Sequence, residues 1–201
     1  MVARLSLTSK ELSLEGMGLS VVPSEVWESG EIIRVNLSRN SIQELPIELS
    51  SCLSLQTLIL SRNNIKEWPF AILKSLSNLS CLKLDNNPLR QVVDASDDWI
   101  DNHQYSCLRT WKQSITAILV RRVQLREVPS EIISLCQLQI LGLGQNSLQS
   151  IPEGLHSLTS LTELDLSDNN ISALPSKLGL LEPSLQVLRL DGNPLRMYVA
   201  F

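Results

Sequence analysis

Six asparagines keep two identical sets of intervals along this chain. Asn40, Asn63 and Asn87 lie 23 and 24 residues apart, and Asn146, Asn169 and Asn193 repeat those spacings. In the same frame Met17 stands one period before Asn40 and Val123 one period before Asn146, so eight registers fit. Around each anchor the chain reads LxxLxLxxNxL, as in Leu55-Leu58-Leu60-Asn63-Ile65, Leu138-Leu141-Leu143-Asn146-Leu148 and Leu161-Leu164-Leu166-Asn169-Ile171. One packing environment reused at a fixed period confines the chain to stacked units, each burying its apolar face against the next. The prolines keep the frame independently. Pro23, Pro46, Pro69, Pro129, Pro152 and Pro175 fall six residues after an anchor; Pro88 and Pro194 directly follow theirs, in the matching phrases DNNPLR and DGNPLR.

The spacing dictates the geometry of each unit. Alternate residues of xLxLx point to opposite faces of a short strand, so Leu58 and Leu60 face inward while Thr57, Ile59 and Ser61 face outward. Successive strands then stack as a parallel sheet, and each needs a return connection behind it. Segments such as Pro152 to Leu158 supply that return, and their prolines suit the start of a short helical stretch. The anchor asparagine tolerates turn geometry, and its amide can satisfy backbone groups when buried. Met17 and Val123 lack that amide, so their turns are expected to be the loosest.

Composition agrees with one repeated core. Leucine occurs 39 times against only eight aromatic residues, and most leucines fall at consensus positions. At 43% hydrophobic and 19% charged, the chain is too apolar for disorder. A net charge of −4 lacks the global electrostatics of a nucleic-acid or anionic-membrane binder. The longest aliphatic run, Ala117 to Val120, is far short of a membrane span. No two of Cys52, Cys81, Cys107 and Cys136 lie closer than 26 residues, which excludes CxxC metal or redox spacing. The first ten residues, MVARLSLTSK, carry no signal-peptide run. A reducing, cytosolic or nuclear compartment is expected. The N-x-S sequons at Asn36, Asn78 and Asn170 then read as chance.

The repeated phrases resemble the leucine-rich repeat family over nearly the whole chain, from about Leu12 to Leu195. The connections Leu45-Pro46-Ile47-Glu48-Leu49 and Leu174-Pro175-Ser176-Lys177-Leu178 look like its intracellular, Ras-group-related branch, and the GxIP phrase of plant receptor ectodomains is missing. The runs Leu12 to Gly30 and Leu178 to Arg196 resemble the C-terminal half of the leucine-rich repeat-containing protein 40 group, plant members in particular. The resemblance implies an α/β right-handed solenoid with a parallel β-sheet on its concave face. It also implies a single repeat domain over 1–201 that binds a protein partner, with no catalytic residues and no cofactor.

The pattern breaks in three places. Val123 stands 36 residues after Asn87, one 23-residue period plus about 13 more, with an irregular insertion over about 91–114. The insertion carries Asp94, Asp97, Asp98 and Asp101 with Trp99, Tyr105 and Trp111, which makes those aromatics a candidate interaction loop beside the plainer reading of a variable insertion. At the two ends, repeat-like sequence starts within a few residues of Met1 and stops at Phe201, so both terminal layers are expected to lack a cap. That favours, as an alternative, a fragment or variant form of a longer repeat protein.

Candidates for chemistry are few. His156 sits in a return connection and reads as a surface histidine. His103 and Cys107 in the insertion have no orienting third group, and Asp97, Asp98 and Asp101 lack the glycine and distal glutamate of a calcium loop. No enzyme activity, metal, small-molecule substrate, nucleic acid or membrane is expected. The outward strand positions carry the remaining signal. Arg34, Asn36, Arg39, Thr57, Ile59, Arg62, Lys83, Asp85, Arg121 and Arg122 form a mainly basic stretch, six basic residues against one acidic. Beyond Ile140, Gly142 and Gln145, the later residues Glu163, Asp165, Asp168, Arg189 and Asp191 are one basic against four acidic. A split face of this kind steers a complementary partner, and reversing Arg39 and Arg62 to Glu is expected to abolish its capture.

Overall fold

A leucine at every consensus site gives every unit the same layer. The computed structural model describes residues 4–6, 10–28, 30–89 and 114–196. Among the described residues, nine three-residue strands form one sheet in chain order: β1 (Arg4–Ser6), β2 (Glu11–Ser13), β3 (Arg34–Asn36), β4 (Thr57–Ile59), β5 (Cys81–Lys83), β6 (Ala117–Leu119), β7 (Ile140–Gly142), β8 (Glu163–Asp165) and β9 (Val187–Arg189). From β2 onward all pairings are parallel, giving eight parallel strands. The fold is the expected leucine-rich repeat solenoid with its parallel sheet. The insertion residues, with Trp99, Tyr105, Trp111, His103 and Cys107, lie outside the described residues.

The middle residue of each strand points into the core. Leu12, Val35, Leu58, Leu82, Ile118, Leu141 and Leu164 are 0–1% exposed, whereas Leu188 in β9 is 41% exposed. The first layer is different, and corrects the expectation of an open N-terminal edge. β1 runs antiparallel along β2, pairing Leu5 with Leu12, so the first sheet edge is occupied.

Behind the sheet the chain returns through short turns: helical at Glu25–Glu28, Phe70–Leu73 and Ser130–Ile133, and 3-10 at Ile47–Ser51, Glu153–Ser157 and Ser176–Leu181. Each frame proline stands just before its turn, and its carbonyl accepts the N–H three residues on (Pro23–Val26, Pro46–Leu49, Pro69–Ile72, Pro129–Ile132, Pro152–Leu155 and Pro175–Leu178, 3.0–3.2 Å). Placing proline there removes a donor the turn does not use.

The anchor asparagines form a ladder. The Nδ2 of Asn63 donates to Leu37 O and Leu60 O, both at 2.9 Å, and its Oδ1 accepts from Ile42 N at 3.1 Å. Asn40, Asn87, Asn146, Asn169 and Asn193 repeat the pattern. Every carbonyl between two anchors thus serves both, which satisfies polar groups that burial would otherwise strand. The ladder is interrupted at Val123, where no amide spans Leu84 O and Val120 O.

The left-handed turn residue is the one before the anchor, which sharpens the expectation placed on the asparagine. Gly16, Arg39, Arg62, Asn86, Arg122, Gln145, Asp168 and Gly192 have φ of 52–70°. At Met17 and Val123 the following residue, Gly18 or Gln124, is left-handed as well. The two anchors without an amide therefore have a different turn from the other six.

Candidate functional site

The outward face of the sheet is a grid of side chains. One row runs Glu11, Arg34, Thr57, Cys81, Ala117, Ile140, Glu163 and Val187; the next runs Ser13, Asn36, Ile59, Lys83, Leu119, Gly142, Asp165 and Arg189. Neighbouring strands lie about 4.8 Å apart, so each row is a ruler along the solenoid. Beyond the strand ends, a further row of left-handed residues carries Arg39, Arg62, Arg122 and Asp168 along one edge.

The two ends of this grid treat their charges differently. On β8 and β9 the carboxylates are taken up within the fold. Glu163 pairs with Arg189, whose guanidinium is held above its usual pKa range by that hydrogen bond. Asp165, 5% exposed, accepts from Ser167 N at 3.1 Å and Ser167 Oγ at 2.6 Å, and meets Arg121 Nη2 at 2.8 Å. That last bridge crosses the whole of β7. Glycines leave room beneath it: a Cβ on Gly142 in β7 would lie 2.7 Å from Leu119 Cδ2 and 3.2 Å from Arg121 Nε, and one on Gly144 just past the strand would lie 2.9 Å from Ser167 Oγ and 3.1 Å from Asp165 Oδ1. Arg122 hydrogen-bonds Gln145, which donates to Asp168 at 3.4 Å.

On β2 to β5 the basic side chains are mostly left open. Arg39 pairs with Glu15 at 3.2 Å, and Glu15 also accepts from Asn36 at 3.1 Å. Asp85 accepts from Arg121 N at 2.9 Å and Ser61 Oγ at 3.4 Å. Arg34, Arg62 and Lys83 form no ion pair among the described residues, although Glu11 neighbours Arg34 in its row. Between the cations sits Cys81. Burial pushes its thiol above the usual range, and Lys83 and Arg34 pull it back.

Between the two ends the face is apolar. Cys81, Ala117 and Leu119 are half-buried, Ile140 is 37% exposed, and Ile59 is nearly covered. Of the positions singled out from sequence, the structure therefore groups Arg34, Arg62 and Lys83 on one side of an apolar centre. It ties Arg39, Arg121, Glu163, Asp165 and Arg189 to one another or to Glu15. Glu11 and Glu15, not among those positions, belong to the same face as outward residues of the first unit, and the alternation at Glu11-Leu12-Ser13-Leu14-Glu15 is the sequence signal that locates them. Asn36 faces outward with its amide bonded to Glu15. Elsewhere, a groove of about 620 Å³ runs between proline turns and is lined by Val21, Glu44, Lys66 and Trp68. Trp68 stacks on Phe70 with ring centroids 5.2 Å apart. No cluster among the described residues is suited to hold a metal ion, and no described helix is long and apolar enough to cross a membrane.

Comparison with known families agrees with this geometry. A family profile described as Leucine rich repeat matches residues 114–171 and 136–195, and a second described as Leucine Rich Repeat matches 54–76, together just over half of the chain. The chain belongs to the leucine-rich repeat family. Among solved structures, a leucine-rich repeat protein of Leptospira interrogans is similar at 25% identity and a TM-score of 0.65, over 93% of this chain and 56% of that one. The leucine-rich repeat ectodomain of the Arabidopsis thaliana receptor kinase GASSHO1/SCHENGEN3, in complex with CASPARIAN STRIP INTEGRITY FACTOR 2, is similar at 26% and 0.64, over 87% and 20%. Internalin C2 of Listeria monocytogenes shares the fold at 21% and 0.70, over 94% and 74%. This leucine-rich repeat chain thus spans about half the length of the Leptospira protein and a fifth of the plant ectodomain. No curated protein matches it in sequence. Leucine-rich repeat domains generally act as protein-interaction scaffolds, typically without catalysis.

Proposed function

We propose that this chain is a non-catalytic protein-interaction scaffold that seats a partner across the outward sheet face, in the cytosol or nucleus and in a signalling context. The observation that carries the reading is the apolar centre of that face. Cys81, Ala117, Leu119 and Ile140 stand on adjacent strands and remain partly open to solvent among the described residues. Each interior strand is bonded to both neighbours, so the surface is pre-ordered and a partner meets little ordering cost. The plant ectodomain, solved in complex with CASPARIAN STRIP INTEGRITY FACTOR 2, supports protein binding as the kind of task. Cysteine spacing supports the reducing compartment, and the LPxxL connections at Pro46 and Pro175 support the Ras-group-related type. The phrases at Leu12 to Gly30 and Leu178 to Arg196 support kinship with plant leucine-rich repeat-containing protein 40.

The test is steric. Ala117→Arg with Ile140→Arg fills the centre of the face, while Ser51→Arg places an arginine on an exposed return turn. Affinity capture followed by quantitative mass spectrometry should show partners lost with the first variant by roughly tenfold or more and kept with the second. Equal recovery on both would remove the sheet face from the proposal.

A further inference from the structure

The open cations and the apolar centre lie at fixed offsets from each other. Arg34 is on β3, Lys83 on β5 and Arg62 just past β4, while Ala117, Leu119 and Ile140 are on β6 and β7. With strands about 4.8 Å apart, β3 to β5 and β5 to β7 each span roughly 10 Å. Arg34, two strands from Cys81 along its row, and Lys83, two residues along β5 from Cys81, place two positive charges on the β3–β5 side of the apolar centre. On the opposite margin Glu163 and Asp165 are engaged by Arg189 and Arg121, and the outward charges without an ion pair among the described residues there, Asp168 and Asp191, are acidic.

Arg62 shares its left-handed backbone with Arg39 and Arg122, and differs from them in having no ion pair or side-chain hydrogen bond among the described residues. It holds φ of 59°, a conformation that glycine or asparagine adopts more easily than arginine. Gly16 and Gly192 occupy the equivalent position in other units without any side chain, so the turn itself does not require a guanidinium. A charge kept in a disfavoured backbone state, unpaired among the described residues and beside other unpaired charges, fits a ligand contact better than a fold contact.

From this arrangement we infer that the occupant of the face is an acidic-apolar protein segment: an apolar side chain rests on Ala117, Leu119 and Ile140, carboxylates up to about 20 Å along the sheet meet Arg62 and Arg34, and the nearest one meets Lys83 at about 10 Å. An offset of that length equals about three residues of extended chain or about seven of a helix. The charge order also sets direction, because only one end of the segment finds open cations. The inference rests on the proposed use of the sheet face and adds the chemistry and orientation of what binds there. Arg122 and Asn86 extend the same edge toward β6, and Glu11 marks where the basic stretch ends.

Selection of random dodecapeptides on the immobilised full chain tests it. The expected outcome is enrichment of peptides with Asp or Glu about three residues from a large apolar residue, with binding that weakens steeply as salt rises. Selection on an Arg34→Glu/Arg62→Glu chain, both exposed positions, should lose the acidic bias and lower affinity for the first set about 30-fold or more. A second variant, Lys83→Gln, adds no charge to the face and should lower it severalfold. Circular dichroism melts confirm that each variant is folded. Neutral or basic enrichment, or acidic peptides that bind the double variant undiminished, overturns the inference. If the peptides are also indifferent to Ala117→Arg with Ile140→Arg, the sheet-face reading fails with it; if that block removes them, only the acidic preference fails.

Discussion

The stretches β3–β5 and β7–β9 are built on the same backbone and use their outward charges in opposite ways. Around β8 and β9 the pairs Arg121–Asp165 and Arg189–Glu163, and the chain from Arg122 through Gln145 to Asp168, tie strands to strands. Around β3 to β5 the cations Arg34, Arg62 and Lys83 have no such partner among the described residues. Their ladders behind the sheet are alike: Asn40, Asn63 and Asn87 on one side do what Asn146, Asn169 and Asn193 do on the other. The difference therefore belongs to the surface and not to the repeat. A count of charges by sequence treats all of them as equally available, whereas a charge already bonded within the fold gives little to a partner.

The largest effect should ignore the comparison. Removing a ladder amide with Asn63→Ala or Asn169→Ala strands several buried backbone groups at about 1–3 kcal/mol each. Both variants should lose roughly 3 kcal/mol in denaturant unfolding, and a large inequality would show that the two stretches differ beneath the surface as well. Next, Asp165→Ala should destabilise by about 1–2 kcal/mol, because the buried carboxylate holds Ser167 and Arg121 together. The reversal Arg34→Glu should move stability by less than about 0.5 kcal/mol, and a melt that drops as far as that of Asp165→Ala would erase the distinction. Smallest of all, Arg62→Gly relieves a left-handed arginine while adding glycine's freedom to the unfolded chain. Its net change should be within about 0.5 kcal/mol, read by the same melts, and partner affinity should fall regardless.

Much of the fold was legible because every unit repeats one environment. Leu58, Leu82 and Leu141 occupy equivalent core sites, and equivalence is what periodicity reports. The left-handed row was hidden because Arg39, Asn86, Gln145 and Asp168 share a backbone state without sharing a residue type. β1 was hidden for a related reason: an antiparallel strand of three residues, Arg4–Ser6, carries no repeat consensus. The candidate face was legible as a set of outward positions, since alternation locates them. Its internal pairing was not. Arg121 reaches Asp165 over an intervening strand, a contact that depends on two glycine positions leaving the space empty, and no local spacing rule encodes it.

The division of labour between the two stretches is tested most directly by measuring partner affinity and melting temperature together for two variants. For Arg34→Glu/Arg62→Glu, affinity should fall about 30-fold or more, close to 2 kcal/mol, while the melt stays in place. For Asp165→Asn, the melt should fall while affinity stays within about threefold. The opposite pattern, with Asp165 governing binding and the arginines governing the melt, would contradict the claim that one stretch binds and the other braces.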